Sequence, residues 1–363
     1  MDKTDGKLPL FFPGRMRYVS AMPIACPMPT PRYDTITLAH GGGGTLTAAL
    51  IHDIFLPAFG AGNAAPHDAT LFSLGGRRAA FTTDSYVVQP LFFPGGDIGS
   101  LAVNGTVNDL LMAGARPVAL TAGFILEEGL PLDTLRRVAD SMRAAAQAAG
   151  VAIIAGDTKV IGRANGDGLY VNTSGVGEIA TPEPLAPERI RAGDVIILTG
   201  DIARHGIAVM AQRHGLKFDP PVHSDCAALH GPLLELFAKG PAPHCARDLT
   251  RGGLGGALCE LAAAANVAIE IDEAAIPVER PVRGACELLG FDPLFVANEG
   301  CAALFVAPAD VPAALAILKR HPATAQAVAI GEVSAGRGVS ARTALGTVRR
   351  LAPPSGEQLP RIC

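Results

Sequence analysis

The stretch DIGSLAVNGTVNDLLMAGARP, residues 97–117, decides the fold class. Its apolar residues recur at spacings of three and four, which predicts a helix, and Gly114 and Pro117 stop it. Working backward, RRAAFTTDSYVV (77–88) reads as a strand ending at Asp84. Further back, DTITLAHGGGGTLTAALIHDIF (34–55) is a short alternating strand that runs into four glycines and then a helix. Working forward, PVALTAGFILEEG (117–129) is a strand. LDTLRRVADSMRAAAQAAG (132–150) is a second helix, with an apolar stripe of Leu132, Leu135, Val138, Ala139, Met142 and Ala146 and a closing Gly150. VAIIAGDTKV (151–160) reads as a buried strand ending at an acid and a lysine, and GLYVNTSGVGEI (168–179) as another strand.

The Pro-rich segment ATPEPLAPERIRAGD (180–194) then interrupts the pattern, and strands and helices restart at DVIILTGDIARHG. Neither half keeps a strict βαβ rhythm, so the expected class is α+β in each half. The expected domains are 34–180 and 190–350, flanked by a flexible extension over 1–33 and a tail over 351–363. Of the 363 residues, 49% are hydrophobic and only 5% aromatic, so the core must come from Ala, Val, Leu and Ile. A net charge of −4 offers no basic field for nucleic acid or an anionic membrane. The 7 cysteines are scattered without a CxxC pair, which fits a reducing cytoplasm better than a disulfide framework or zinc knuckle. No apolar run approaches the ~18 residues of a membrane span.

Five acids fall at strand ends or helix starts beside glycines: Asp84, Asp97, Asp109, Asp157 and Asp248. Each alone fits a cap or turn; together they suit a hard cation bridging phosphates. HGGGG (40–44) and TRGGLGG (250–256) let backbone N–H groups approach an anion, although neither is a Walker or Rossmann loop. Lys159 follows a strand and can hold a phosphate as a point charge, or be an ordinary loop lysine. Glu299, between apolar segments in FVANEGCAALFV, is a turn residue or a partly buried base. His205 in ARHG is a structural, binding or catalytic histidine. Cys363 closes SGEQLPRIC, a thiol on a short Pro-containing arm.

Taken in order from 39 to 363, the segments AHGGGG, TTDSYVVQPLFFPGGDIGSLAVNGTVNDLLMAGARP, FILEEG, AGDTKV, GDIARHG, RDLTRGGL, DPLFVANEG and PRIC resemble the HypE family, the carbamoyl dehydratases of [NiFe]-hydrogenase maturation. That family is grouped with aminoimidazole ribonucleotide synthetase, selenophosphate synthetase and thiamine-monophosphate kinase. GDTKV and PRIC separate it from these cousins, while Leu249 and Cys259 depart from the expected pattern. The resemblance implies a fold like aminoimidazole ribonucleotide synthetase: an N-terminal sheet domain that dimerises and a C-terminal α/β sandwich domain. It implies a carbamoyl group loaded on Cys363 by a carbamoyltransferase, dehydrated with ATP to a thiocyanate, and passed as cyanide to an iron-carrying assembly scaffold. Cys363, Lys159 and Glu299 would be catalytic. Asp84, Asp109 and Asp248 would hold Mg²⁺, and Gly42, Gly43, Asp97, Asn108, Asp157 and Thr158 would meet the nucleotide. A different superfamily enzyme, or a carrier that presents Cys363 without using ATP, are the competing expectations. Only Cys26 could mimic an N-terminal catalytic cysteine.

Overall fold

Asp97 begins the central helix by capping it. Its carboxylate accepts from Gly99 N–H at 2.7 Å and Ser100 N–H at 3.2 Å, while its own N–H donates to Ser100 Oγ at 3.0 Å. The computed structural model describes residues 35–37, 40, 44–59, 67–353 and 362–363. The extension 1–33, Cys26, the glycines 42 and 43 and the tail segment 354–361 lie outside the described residues.

Among the described residues the first elements are two short helices, α1 (Thr45–Leu50) and α2 (Leu56–Phe59). The first sheet contains β1 (Thr70–Leu74), β2 (Arg77–Tyr86), β5 (Ala115–Glu127), β6 (Ala152–Ile161) and β7 (Leu169–Ile179) in the order β1-β2-β7-β5-β6. A small hairpin, β3 (Phe92–Phe93) and β4 (Gly96–Asp97), leads into α3 (Ile98–Met112). Only β5 and β6 run parallel, joined by α4 (Leu132–Ala149).

Of the α3 residues, all but Ser100 and Asp109 are buried. The helix lies on β2, β5 and β7, and it also touches α4 and elements of the second half. An all-round apolar helix has to be enclosed in this way. Gly105 permits the closest approach, since a Cβ there would sit 2.3 Å from the Tyr86 hydroxyl. The α4 stripe buries Val138, Met142 and Ala146 but leaves Leu132 exposed, and Gly150 closes the helix at φ 66°.

The second sheet has seven strands in the order β14-β13-β10-β12-β8-β11-β9. They are β8 (Val195–Leu198), β9 (Cys245–Asp248), β10 (Ala268–Asp272), β11 (Ala302–Val306), β12 (Val328–Ser334), β13 (Gly338–Arg342) and β14 (Val348–Leu351). Its helices are α5 (Arg204–His214), α6 (His230–Lys239), α7 (Gly253–Ala265), α8 (Arg280–Leu289) and α9 (Val311–Leu318). The class is α+β, as expected. One core joins the halves: Tyr86, Val107 and Leu120 share it with Leu233, Leu304 and Ile317. Leu249 and Cys259 belong to a second core within the seven-stranded sheet region, where Cys259 packs as a small apolar side chain.

Two local expectations change. The 77–88 strand continues past Asp84 to Tyr86, so Asp84 sits inside β2. The strand expected to be buried, β6, is instead a sheet edge, and Ala152–Val160 are all exposed. An apolar run reports a strand that suits a covered setting; it does not report whether this chain supplies the cover.

Candidate active site

Alternation divides β2 between two surroundings. Ala80, Thr82 and Tyr86 are buried toward α3, with Asp84 on the same face, while Phe81, Thr83 and Ser85 point to the open face. On the covered face, Thr82 Oγ1 donates to Asp109 Oδ2 at 2.8 Å, fixing the one acid that α3 leaves incompletely buried. β9 brings Asp248 to the same place, and the loop before β1 brings Asp68. One oxygen from each of Asp68, Asp109 and Asp248 lies within 4.8 Å of the others.

Burial first, and then mutual repulsion, raise these carboxyls above their ordinary values. Asp248 is raised to about 8 by burial and the neighbouring Asp68. Asp68 is raised to about 6 by burial, opposed by its ion pair with Arg247 at 2.8 Å. Asp109 is pushed well up by burial and by Asp248, Asp84 and Asp68. Asp84 is raised by burial and opposed by Arg251. A buried all-carboxylate set that cannot ionise together without added positive charge fits a hard divalent cation. Asp68 is the residue that sequence reasoning missed. Its only signal was an acid after His67 in HDATL, immediately before a strand.

Glu299 stands close by. It is 4% exposed, and its Oε1 has no hydrogen-bond partner among the described residues. Its backbone is pinned: Glu299 N–H donates to the Asp225 carboxylate at 3.1 Å, and Gly300 N–H donates to Asp225 Oδ2 at 3.0 Å. Burial drives its carboxyl well above the usual range, Asp248, Asp225 and Asp84 add to this, and Arg251 opposes it. An unpartnered buried carboxyl of this kind is a strong base once ionised.

Cys363 reaches this same cluster. Val87 N–H donates to a terminal carboxylate oxygen of Cys363 at 3.1 Å, and Ile362 beside it is 3% exposed. Burial raises the Cys363 thiol well above its ordinary value, Glu299 raises it further, and Arg251 pulls it down. Cys363 is in turn the leading cause of the raised Arg251 guanidinium. Arg251, in the quoted TRGGLGG, is therefore a cation within electrostatic reach of the thiol.

Lys159 and Asp157 lie elsewhere. Lys159 Nζ pairs with Asp157 Oδ2 at 2.7 Å, both well exposed on β6. The register Ser85–Asn172–Gly123–Asp157 crosses the sheet in one row. Three strand spacings separate Ser85 from Asp157, roughly 14 Å. That row is on the open face, opposite the acid cluster. A cavity of about 410 Å³ runs along it, lined by Ser85, Val87, Ile125, Asp157, Lys159 and Asn172 among others. Val87 thus borders the cavity and also holds Cys363. Thr158 is exposed between the two charged residues.

Asp97 and Asn108 have structural partners. Besides capping α3, Asp97 accepts from Ser141 Oγ at 2.6 Å. Asn108 donates to Ala227 O at 3.0 Å and Glu299 O at 3.3 Å, and it accepts from Leu229 N–H at 2.8 Å, so it braces the segment that carries Glu299.

Comparison with known proteins places this arrangement in a class. Residues 66–179 match the N-terminal domain, and 191–343 the C-terminal domain, of the AIR synthase related protein family. Within that class the similarity narrows. The carbamoyl dehydratase HypE of Rhizobium leguminosarum bv. viciae is 48% identical over 336 residues, covering 90% of this chain and 95% of that protein. A solved hydrogenase maturation protein HypE in complex with ATP superimposes with a TM-score of 0.77 at 44% identity, covering 91% of this chain and 100% of that one. A chain of a HypE–HypF complex gives a TM-score of 0.80 at 43% identity, covering 84% of this chain and 100% of that one. This chain belongs to the HypE family.

Proposed function

We propose that this enzyme uses ATP to dehydrate a carbamoyl group carried on the Cys363 sulfur, leaving a thiocyanate. One observation carries the reading: Cys363 is seated within the electrostatic reach of Glu299, Arg251, Asp84 and Asp248. A tail that served only as a carrier would not need its thiol beside a buried, unpartnered carboxyl.

The carbamoyl oxygen attacks the γ-phosphorus of ATP, ADP leaves, and one nitrogen proton is lost. The C–O bond then breaks, phosphate departs with that oxygen, and the second nitrogen proton is removed as C≡N forms. Glu299 is placed to take a nitrogen proton, since its Oε1 has no competing partner among the described residues. Arg251 offsets the negative charge that builds beside the sulfur. Asp68, Asp109 and Asp248 would hold Mg²⁺, which when bound offsets phosphate charge. Lys159 would meet the nucleotide from the open-face cavity. Phosphoryl transfer depends mainly on such positioning and charge neutralisation.

The open sheet face supports a homodimer. Phe81, Val118 and Ile125 are exposed on the sheet, and the edge strand β6 adds Ile154 and Val160. A second copy would cover them and close the cavity. A HypF-type carbamoyltransferase is the proposed loader of Cys363, and an iron-carrying scaffold the acceptor of cyanide. A reducing cytoplasm would keep the thiol free. Among the described residues no helix is long and apolar enough to cross a membrane.

Mass spectrometry of the peptide carrying Cys363 tests the reading. With transferase and carbamoyl donor, Cys363 gains one carbamoyl group in place of a proton; ATP then removes one water. Absence of the water loss with ATP present would reject the dehydratase assignment.

A further inference from the structure

His205 is fully buried, yet its Nε2 lies 2.7 Å from the carbonyl oxygen of Ile362, 157 residues away in the chain. A carbonyl only accepts, so Nε2 carries the hydrogen and donates. Burial lowers this histidine to about 4, and the ring is therefore neutral. Its Nδ1 is then a bare acceptor, matched by Ser224 Oγ at 2.8 Å. Ser224 is itself oriented: its hydroxyl oxygen accepts from Cys226 N–H at 3.0 Å, and its N–H donates to Pro94 O at 2.8 Å. Phe93 fixes the plane of the imidazole from the side, with ring centroids 5.3 Å apart at 87°.

The surroundings connect this histidine to Glu299 twice. Ser224 orients His205, and the next residue, Asp225, pins the Glu299 and Gly300 amides. At the start of α5, Ala203 N–H donates to Asn298 Oδ1 at 2.6 Å, and Asn298 directly precedes Glu299. The imidazole and the carboxyl are thus mounted on one framework. Two successive residues of the tail are held through their backbone oxygens, the Ile362 carbonyl by His205 and a carboxylate oxygen of Cys363 by the Val87 amide.

We propose that His205, held by Ser224, is the seat of the Ile362–Cys363 pair: a positioning residue that sets the thiol in register with Glu299. Its role in the reaction rests on the dehydratase reading above; the seat itself does not. A neutral N–H donor in a dry pocket suits a peptide carbonyl, and Ile362 fills the apolar space beside it.

Peptide-resolved alkylation of the full-length protein with iodoacetamide tests this without ATP or a carbamoyl donor. In the wild type, Cys363 reacts slowly. H205A accelerates it by ~10-fold, the scale of one lost buried hydrogen bond. H205Q, which keeps an N–H donor, restores slow labelling. S224A gives an intermediate rate. Ile362→Gly, which removes a buried core side chain, accelerates Cys363, and the double variant with H205A reacts no faster than the faster single one. The buried Cys245 and Cys301 serve as internal controls and keep their wild-type rates. Equal Cys363 rates in wild type and H205A, faster Cys245 and Cys301 alongside Cys363, or no effect of I362G would each overturn the proposal. Failure of cyanation in a protein whose labelling follows this pattern would count against the dehydratase reading and leave the seat standing.

Discussion

The two faces of the five-stranded sheet behave as different materials although the same strands make both. On the covered face, α3 excludes water, and burial, then mutual repulsion, raises the carboxyls of Asp84, Asp109 and Asp248 above their ordinary values. On the open face, Phe81 and Ile125 are exposed, and the Asp157–Lys159 pair is well solvated. A charge on the first face is costly until paired; a charge on the second costs little. The proposed acid site therefore lies on the covered face and the proposed assembly surface on the open one, which also carries Lys159, with Val87 bordering the open-face cavity and bonded to Cys363.

The largest expected effect is at Cys363. C363A should abolish both carbamoyl and cyano adducts in the mass assay and leave ATP binding, measured by calorimetry, intact. Loss of ATP binding would show that tail and nucleotide site are one unit. Next is E299Q, which removes the proposed base and retains the side-chain shape. Its rate of water loss should fall by ~10²–10⁴-fold, with the carbamoyl adduct accumulating. Cyanation at the wild-type rate would remove Glu299 from that role.

A pH experiment addresses the crowding itself. Asp248 has a folded-state value of about 8, above the ordinary carboxylate value. The folded state therefore binds more protons than the unfolded one, and stability falls as pH rises toward 8. His67 and His205, both lowered to about 4, oppose this only below their ordinary value of 6.5. Between pH 6.5 and 8 the thermal midpoint of the metal-free protein should drop. Added Mg²⁺ or D248N should flatten the slope, and a flat profile in the wild type would refute the crowding.

On the open face, F81K should shift the protein toward monomer in analytical ultracentrifugation while leaving the slow labelling of Cys363 unchanged. A variant that remains dimeric would move the interface elsewhere. The smallest effect on folding is expected from D157N. Its exposed ion pair should leave the thermal midpoint where it was, and a clear loss of stability would contradict the solvated setting of β6.

Much of the fold was legible in the chain. The α3 and α4 periodicities, the strand at 168–179 and the break at 180–194 all follow from local spacing. The acids at glycine-flanked positions pointed toward a cation site. The misreadings share a cause. β6 looked buried because apolar runs mark strands fit for covering, not strands that are covered within one chain. The hydrogen bonds that Asp97 and Asn108 make to backbone groups, by contrast, carried no signal in the sequence. Asp68 was overlooked because a lone acid before a strand has no periodic signal.

By itself the sequence determined the α+β alternation, the helix of α3 with its apolar spacing, and the Pro-containing arm with its cysteine, because each is written in local stretches of the chain. Only the tertiary structure decided which acids converge, which strand lies at the edge, and that His205 meets Ile362. Those outcomes depend on strand register and on which face is packed, and they join residues whose separation along the chain carries no local signature.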